Sequence, residues 1–160
     1  MIQCVMLKSP SAEQTALEIV TLEGLVSKDH LLRRIDDVVD FSFIHELAAP
    51  HYCADNGRPA LDPTLMFKAL FVGYLFGIRS ERRLIEEIRV NAAYRWFLRM
   101  RLTDDVFDAS TLSQNRKRRF NGTDIAQTIF DRIMEENEPN EFFLKPKSPR
   151  TKLFLEQILH

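Results

Sequence analysis

Ten arginines fall between positions 79 and 119: Arg79, Arg82, Arg83, Arg89, Arg95, Arg99, Arg101, Arg116, Arg118 and Arg119. A guanidinium fork matches phosphate oxygens and guanine edges better than an ammonium does, so polyanion binding is the first chemistry these residues suggest. The formal net charge of −1 conceals this concentration. Residues 61–102 carry eight basic and four acidic side chains, and residues 103–120 carry four and three. The flanks are acidic: residues 1–60 carry five basic and nine acidic side chains, and residues 121–138 carry one and five. A second reading of the same charges is a solvated helix surface laced with internal ion pairs. Charge alone leaves both open.

Other chemistries find less support. Asp36, Asp37, Asp40, Asp62, Asp104, Asp105 and Asp108 are carboxylates of the kind that hold metal ions for phosphoryl transfer. Helix caps and turns account for them equally well, and the pattern offers no sheet to hold them rigidly. His45, His51 and Cys53 lack the paired spacing of a zinc site, and His45 reads as a packed histidine on an apolar helix. The strings GxxxxGK, HExxH and GxSxG are absent, and nothing supplies a base for Cys53. The expectation is no metal, no cofactor and no catalytic residue. Two cysteines are too few for a disulfide framework and fit a reducing cytosol. The longest apolar stretch, Leu65 to Ile78, contains Lys68 and falls short of the roughly 20 residues that span a bilayer. Lys8 is not followed by an apolar run of signal-peptide type. A cytoplasmic protein without a membrane segment is expected.

The elements that must position the arginines read as helices throughout. With 160 residues, 45% of them hydrophobic, and only five glycines and seven prolines, the composition is globular. Residues 1–26 read as a loose lead-in. Leu31, Leu32, Ile35, Val38 and Val39 have helical spacing, with Ser27 as the candidate N-cap. A short helix from Phe41 to Ala49 stops at Pro50, and Asn56–Gly57–Arg58–Pro59 is a turn. Asp62–Pro63 is a cap followed by proline at the first helical position. The helix it opens, LMFKALFVGYLFG, is apolar nearly all round and should be the buried centre of a bundle, stopped by Gly77. Its aromatics Phe67, Phe71, Tyr74 and Phe76 read as core.

Ser80 caps ERRLIEEIRV. At 100° per residue Leu84, Ile85, Ile88 and Ala92 lie on one side, and Arg79, Arg82, Arg83, Glu86 and Arg89 on the other. Glu86 follows Arg82 by one turn and Glu87 follows Arg83, so ion pairs should neutralise part of this face. Asn91 caps a further helix with Trp96 and Phe97, and Thr103 to Asp108 form an acidic loop. The next helix, from Ala109 or Ser110 to Phe120, has a thin apolar stripe of Ala109, Leu112 and Phe120. Its other face presents Ser110, Thr111, Gln114, Lys117 and Arg118, with Asn115 at the edge. Such side chains read base edges in a major groove, and the helix pair resembles a helix-turn-helix with a long connection; a capped basic surface helix fits too. After Gly122, Ile125, Ile129, Phe130, Ile133 and Met134 form a stripe that closes the bundle. Pro139, Pro146 and Pro149 then break a basic segment before a final LFLEQIL. The expected fold is all-α, a compact multi-helix bundle with a helix-turn-helix-like element. It divides into a lead-in (1–26), a helical domain (27–138) and a divergent tail (139–160).

The run NGRPALDPTLMFKALFVGYLFGIRSERRLIEEIRVNAAYRWFLRMRL closely resembles the N-terminal domain of insertion-sequence transposases of the InsH type. DDVFDASTLSQNRKRRF and DHLLRRIDDVVDFSFI fit the same family, and the likeness covers Leu22 to Glu136. The resemblance implies a bacterial mobile element whose helical domain helps bind terminal inverted repeats. In full-length members a ribonuclease-H-like domain follows, where two aspartates and a glutamate bind Mg²⁺ for strand cleavage and joining. Here the sequence departs from the family after about Asn137, so no catalytic residue carries over and Mg²⁺ is expected only for that further domain. The expectation is a truncated or frame-shifted transposase without catalytic activity of its own, bound to double-stranded DNA. Arg79, Arg82, Arg83 and Arg89 are the candidates for phosphate positioning. Thr111, Gln114, Lys117 and Arg118 are those for groove contact, with Arg116 and Arg119 at the flank. Two alternatives remain: an interaction module or trans inhibitor that pairs with full-length transposase, and a nuclease dependent on Asp104, Asp105 or Asp108.

Overall fold

A computed structural model describes residues 13–52, 61–120 and 122–136, with side chains through Ile133. The turn expected at 56–59, Cys53, the Met134 side chain and the tail 139–160 lie outside the described residues. The described residues contain α-helices and no strand, as the periodicity predicts.

Helix α4 (Pro63–Leu75) is the axis of the bundle. Asp62 caps it through both carboxylate oxygens, accepting from the Thr64 N–H at 3.1 Å and the Leu65 N–H at 3.4 Å. Proline at the first position gives up an N–H that would have had no helical partner. Nine of its thirteen residues are buried, which is why the segment is apolar on every side. Gly77, at φ 66°, ends it. The Gly77 N–H reaches the Tyr74 carbonyl at 3.2 Å and the Ile78 N–H the Gly73 carbonyl at 2.8 Å, which satisfies the last turn.

Around this axis lie α1 (Leu22–Leu25), α2 (Leu31–Val38), α3 (Phe43–Ala48), α5 (Glu81–Val90), α6 (Ala92–Phe97), α7 (Ala109–Asn115) and α8 (Ile125–Glu136). Aromatic edges join them to α4. Phe41 meets Phe97 at 5.5 Å and Phe71 at 6.2 Å. Phe130 of α8 meets Phe71 at 6.2 Å and Tyr74 at 5.9 Å, so α8 closes the bundle through the stripe that the spacing predicts. Phe71 and Phe97 are 1% and 0% exposed, and each such burial contributes about 1.5–3 kcal/mol.

Several local expectations are corrected. The N-cap of α2 is His30, whose Nδ1 accepts from the Leu32 N–H at 3.1 Å, and not Ser27. The Ser27 carbonyl instead accepts from the His30 N–H, turning the chain into the helix. α3 starts at Phe43 because the Asp40 carboxylate holds the Ser42 N–H and hydroxyl at 2.9 and 2.8 Å in a turn. It runs on past Pro50 as a 3₁₀ turn, Ala49–His51. His45 is exposed and not packed. The lead-in ends in the docked turn α1: Glu23 accepts from Trp96 Nε1 at 2.7 Å and from Arg33, which lies 4.5 Å from the Trp96 ring centroid. Trp96 thus fastens α1 to α6.

The single helix expected from 109 to 120 changes pitch. After α7, Arg116–Phe120 continue as a π-helix. Phe120 is drawn to Phe67, at 5.2 Å, and Arg119 stacks 4.0 Å from the Tyr52 ring centroid. The wider turn lets both reach the body of the bundle while Leu112 stays buried. α7 packs mainly against α5. The connection from α6 runs over residues 98–108, so the tight turn of a helix-turn-helix is not formed.

One ion-pair network lies inside. Lys68, on α4, has a side chain only 8% exposed. Its Nζ donates to Asp36 Oδ1 at 2.9 Å and to the Phe97 carbonyl at 3.2 Å, between the Phe41 and Phe97 rings at 4.5 Å each. Burial pushes the Lys68 pKa down, against the pull of the Asp36 carboxylate. Asp36 Oδ2 also accepts from Arg99. Arg99 stands at φ 59°, where glycine is usual, because it terminates α6: its N–H bonds the Trp96 carbonyl at 3.1 Å.

Candidate nucleic-acid interface

α5 presents the arginines because its own pattern divides it. Leu84, Ile85 and Ile88 are buried, while Arg82, Arg83, Glu86 and Arg89 are exposed. Ser80 starts the helix, its Oγ accepting from the Arg83 N–H at 3.4 Å. One of the two expected ion pairs exists: Arg83 Nε lies 3.7 Å from a Glu87 oxygen, with the arginine side chain 71% exposed. Such a pair is worth at most a few tenths of a kcal/mol, about the size of other exposed helix pairs. The Arg82–Glu86 pair does not form. Both side chains are exposed, where such a pair is worth little.

Apart from Arg83, exposed and paired with Glu87, the structure divides the arginines into two groups. Arg95, Arg99 and Arg101 serve the fold. Arg95 is 6% exposed and donates to three carbonyls, those of Arg89 at 3.1 Å, Arg101 at 2.7 Å and Asp104 at 3.1 Å. It thereby closes the last turn of α5 and shapes the 98–108 connection. Arg101 Nε donates to Asp104 at 2.9 Å and Arg99 to Asp36. Arg116 pairs with Glu81 at 3.1 Å, and Arg119 stacks on Tyr52. By contrast Arg79, Arg82, Arg89, Lys117 and Arg118 are exposed, and among the described residues none of them forms an ion pair. Arg79 and Arg82 share with Arg116 the wall of a cleft at the start of α5. On α7, Gln114 is exposed and Thr111 half-buried, its carbonyl accepting from Asn115 Nδ2 at 2.8 Å.

The acidic residues do structural work. The Arg101 N–H and guanidinium hold the Asp104 carboxyl below the usual carboxylate range. Ser42 does the same for Asp40, and Arg33 and Trp96 for Glu23. A carboxyl lowered in the folded state contributes stability above its unfolded pKa of about 4, and that stability is lost as pH falls through the folded value. Urea midpoints should therefore be level between about pH 7 and 5 and fall below about pH 4. A midpoint unchanged down to about pH 3 would contradict these assignments. Among the described residues no group of three His, Cys, Asp or Glu side chains is placed to share a metal ion, and no helix is long and apolar enough to cross a membrane.

A family model described as Transposase domain (DUF772) matches residues 20–118. The chain belongs to this transposase-domain family. No curated protein and no solved structure matches it. The match begins just before α1 and ends inside the π-helix, so it takes in the docked turn at Glu23 as well as α5 and α7. The transposase domain is therefore the unit that contains both the Asp36–Lys68–Arg99 network and the exposed cations from Arg79 to Arg118.

Sequence reasoning missed what the buried charges do. A lone lysine in an otherwise apolar helix was the available signal for Lys68, since a buried ammonium requires a carboxylate. Nothing comparable marked Asp36 as that carboxylate, or Arg95 as a buried clamp.

Proposed function

We propose that this transposase domain binds double-stranded DNA and recognises the terminal inverted repeats of its element. The observation that supports this reading is the set of exposed, unpaired cations just before and on α5 and on the π-helix that continues α7. Arg79, Arg82, Arg83 and Arg89 neutralise phosphates. Thr111, Gln114, Lys117 and Arg118 face base edges, with Arg116 and Arg119 at the flank of that surface. Phosphate contacts supply affinity and orientation, while base contacts supply sequence preference. On this reading the domain works in the cytoplasm, needs no cofactor for binding, and performs no strand chemistry itself.

The division of labour is testable with two variants. Arg82→Ala should weaken binding to every duplex alike and reduce the slope of log affinity against log salt by about one. Gln114→Ala should leave that slope unchanged and lower the ratio of specific to random binding by about ten-fold. Equal losses on specific and random duplexes in both variants would contradict it.

A further inference from the structure

The cleft at the start of α5 has a volume of about 480 Å³ and is walled on its charged side by Arg79, Ser80, Glu81, Arg82 and Arg116. Three guanidinium groups there meet one carboxylate. Arg79 and Arg82 are exposed and form no ion pair among the described residues. Arg116 and Glu81 lie close, at 3.1 Å, with side chains 32% and 23% exposed. Their approach lacks hydrogen-bond geometry, so Glu81 Oε1, shielded from solvent, accepts no hydrogen bond among the described residues. A shielded carboxylate oxygen in this condition is rare and marks a contact that the fold has left incomplete.

We propose that this cleft receives a phosphodiester group of duplex DNA, and that Glu81 holds Arg116 in reserve until the phosphate takes its place. The inference rests on the DNA-binding reading given above. A phosphodiester presents two charged oxygens to a guanidinium fork, whereas Glu81 offers Arg116 one poorly aligned contact. Arg79 and Arg82 have no competing partner and share the incoming charge. At about 480 Å³ the cleft is larger than a single ion needs. Arg116 opens the π-helix that carries exposed Lys117 and Arg118, so a phosphate fixed at Arg116 sets the register of those residues and of α7 on the duplex. Glu81 then remains as a negative charge beside the phosphate and limits affinity for any duplex that does not also gain base contacts. Glu81 is a positioning residue, acting through Arg116.

The test is fluorescence anisotropy of the full chain with a labelled duplex, titrated with salt and repeated with added inorganic phosphate. Glu81→Gln should bind about five-fold tighter, with a slope against log salt steeper by about one. Arg116→Gln should bind about five-fold more weakly with a slope shallower by about one, and adding Glu81→Gln to it should bring no gain. Glu81→Ser serves as the second variant should the glutamine form be less stable, with thermal unfolding as the check on folding. Inorganic phosphate should compete with duplex less effectively in Arg116→Gln than in the wild type. Glu81→Gln binding no tighter than wild type overturns the inference while leaving DNA binding intact, and so does the same gain from Glu81→Gln with or without Arg116. Failure of the wild type to bind any duplex overturns both.

Discussion

Asp36→Ala should destabilise the transposase domain by about 3–5 kcal/mol, the range seen when one partner of a buried ion pair is removed. The Asp36 carboxylate is 11% exposed and holds Lys68 at 2.9 Å on one oxygen and Arg99 on the other. Without it the Lys68 ammonium keeps the Phe97 carbonyl and two aromatic rings, which do not replace a negative charge. Lys68→Met fills similar volume but leaves the Asp36 carboxylate with Arg99 alone, and should cost less than Asp36→Ala because that guanidinium remains paired with it. Asp36→Leu combined with Lys68→Met should recover most of the loss of Asp36→Ala. Urea unfolding reads all of these as shifts of midpoint at constant slope. A loss under about 1 kcal/mol in Asp36→Ala would show that the pair is solvated and peripheral. Since folded domains are commonly stable by only 5–15 kcal/mol, a loss of the expected size would leave a substantial unfolded fraction in some backgrounds.

The largest effect on binding is expected from removing the unpaired cations together. A variant with Arg79, Arg82, Arg89, Lys117 and Arg118 all changed to glutamine should lose about three units of slope in log affinity against log salt, because Arg79, Arg82 and Arg89 each neutralise a phosphate and each phosphate contributes about 0.9. At low salt this corresponds to the loss of nearly all duplex binding. The substitutions touch exposed side chains without ion pairs among the described residues, so the unfolding midpoint should stay near that of the wild type. The matched control changes Arg101, also exposed but paired with Asp104, and should shift the slope by much less than one unit. Gel shifts across a salt series measure both. A slope unaltered in the fivefold variant would place the DNA contacts elsewhere or remove DNA from the account.

What could be read from the sequence was mostly local. Asp62–Pro63, Ser80 and Asn91 cap the helices they were assigned, because a cap is decided by a few neighbouring residues. The two faces of α5 followed from periodicity. The features that were not legible depend on distant partners. The π-helix at Arg116–Phe120 exists because Phe120 packs on Phe67 and Arg119 on Tyr52, both far away in sequence. His30 displaces Ser27 as the α2 cap by one local contact that propensity would not favour. The charge tally counted Arg95, Arg99 and Arg101 with the binding surface, but composition does not register that one is buried and two are paired at short range. The cluster therefore contains fewer available cations than its count implies, and those that remain are concentrated on α5 and the π-helix.

The most direct test of DNA recognition is the affinity of the purified chain, measured across a salt series, for duplexes carrying the ends of the neighbouring element and for scrambled duplexes of equal length. The account predicts tighter binding to the element ends, with a steep fall in affinity for both as salt rises, of several units in the logarithmic slope. Binding to neither duplex at low salt, or binding whose affinity does not change with salt, would contradict it.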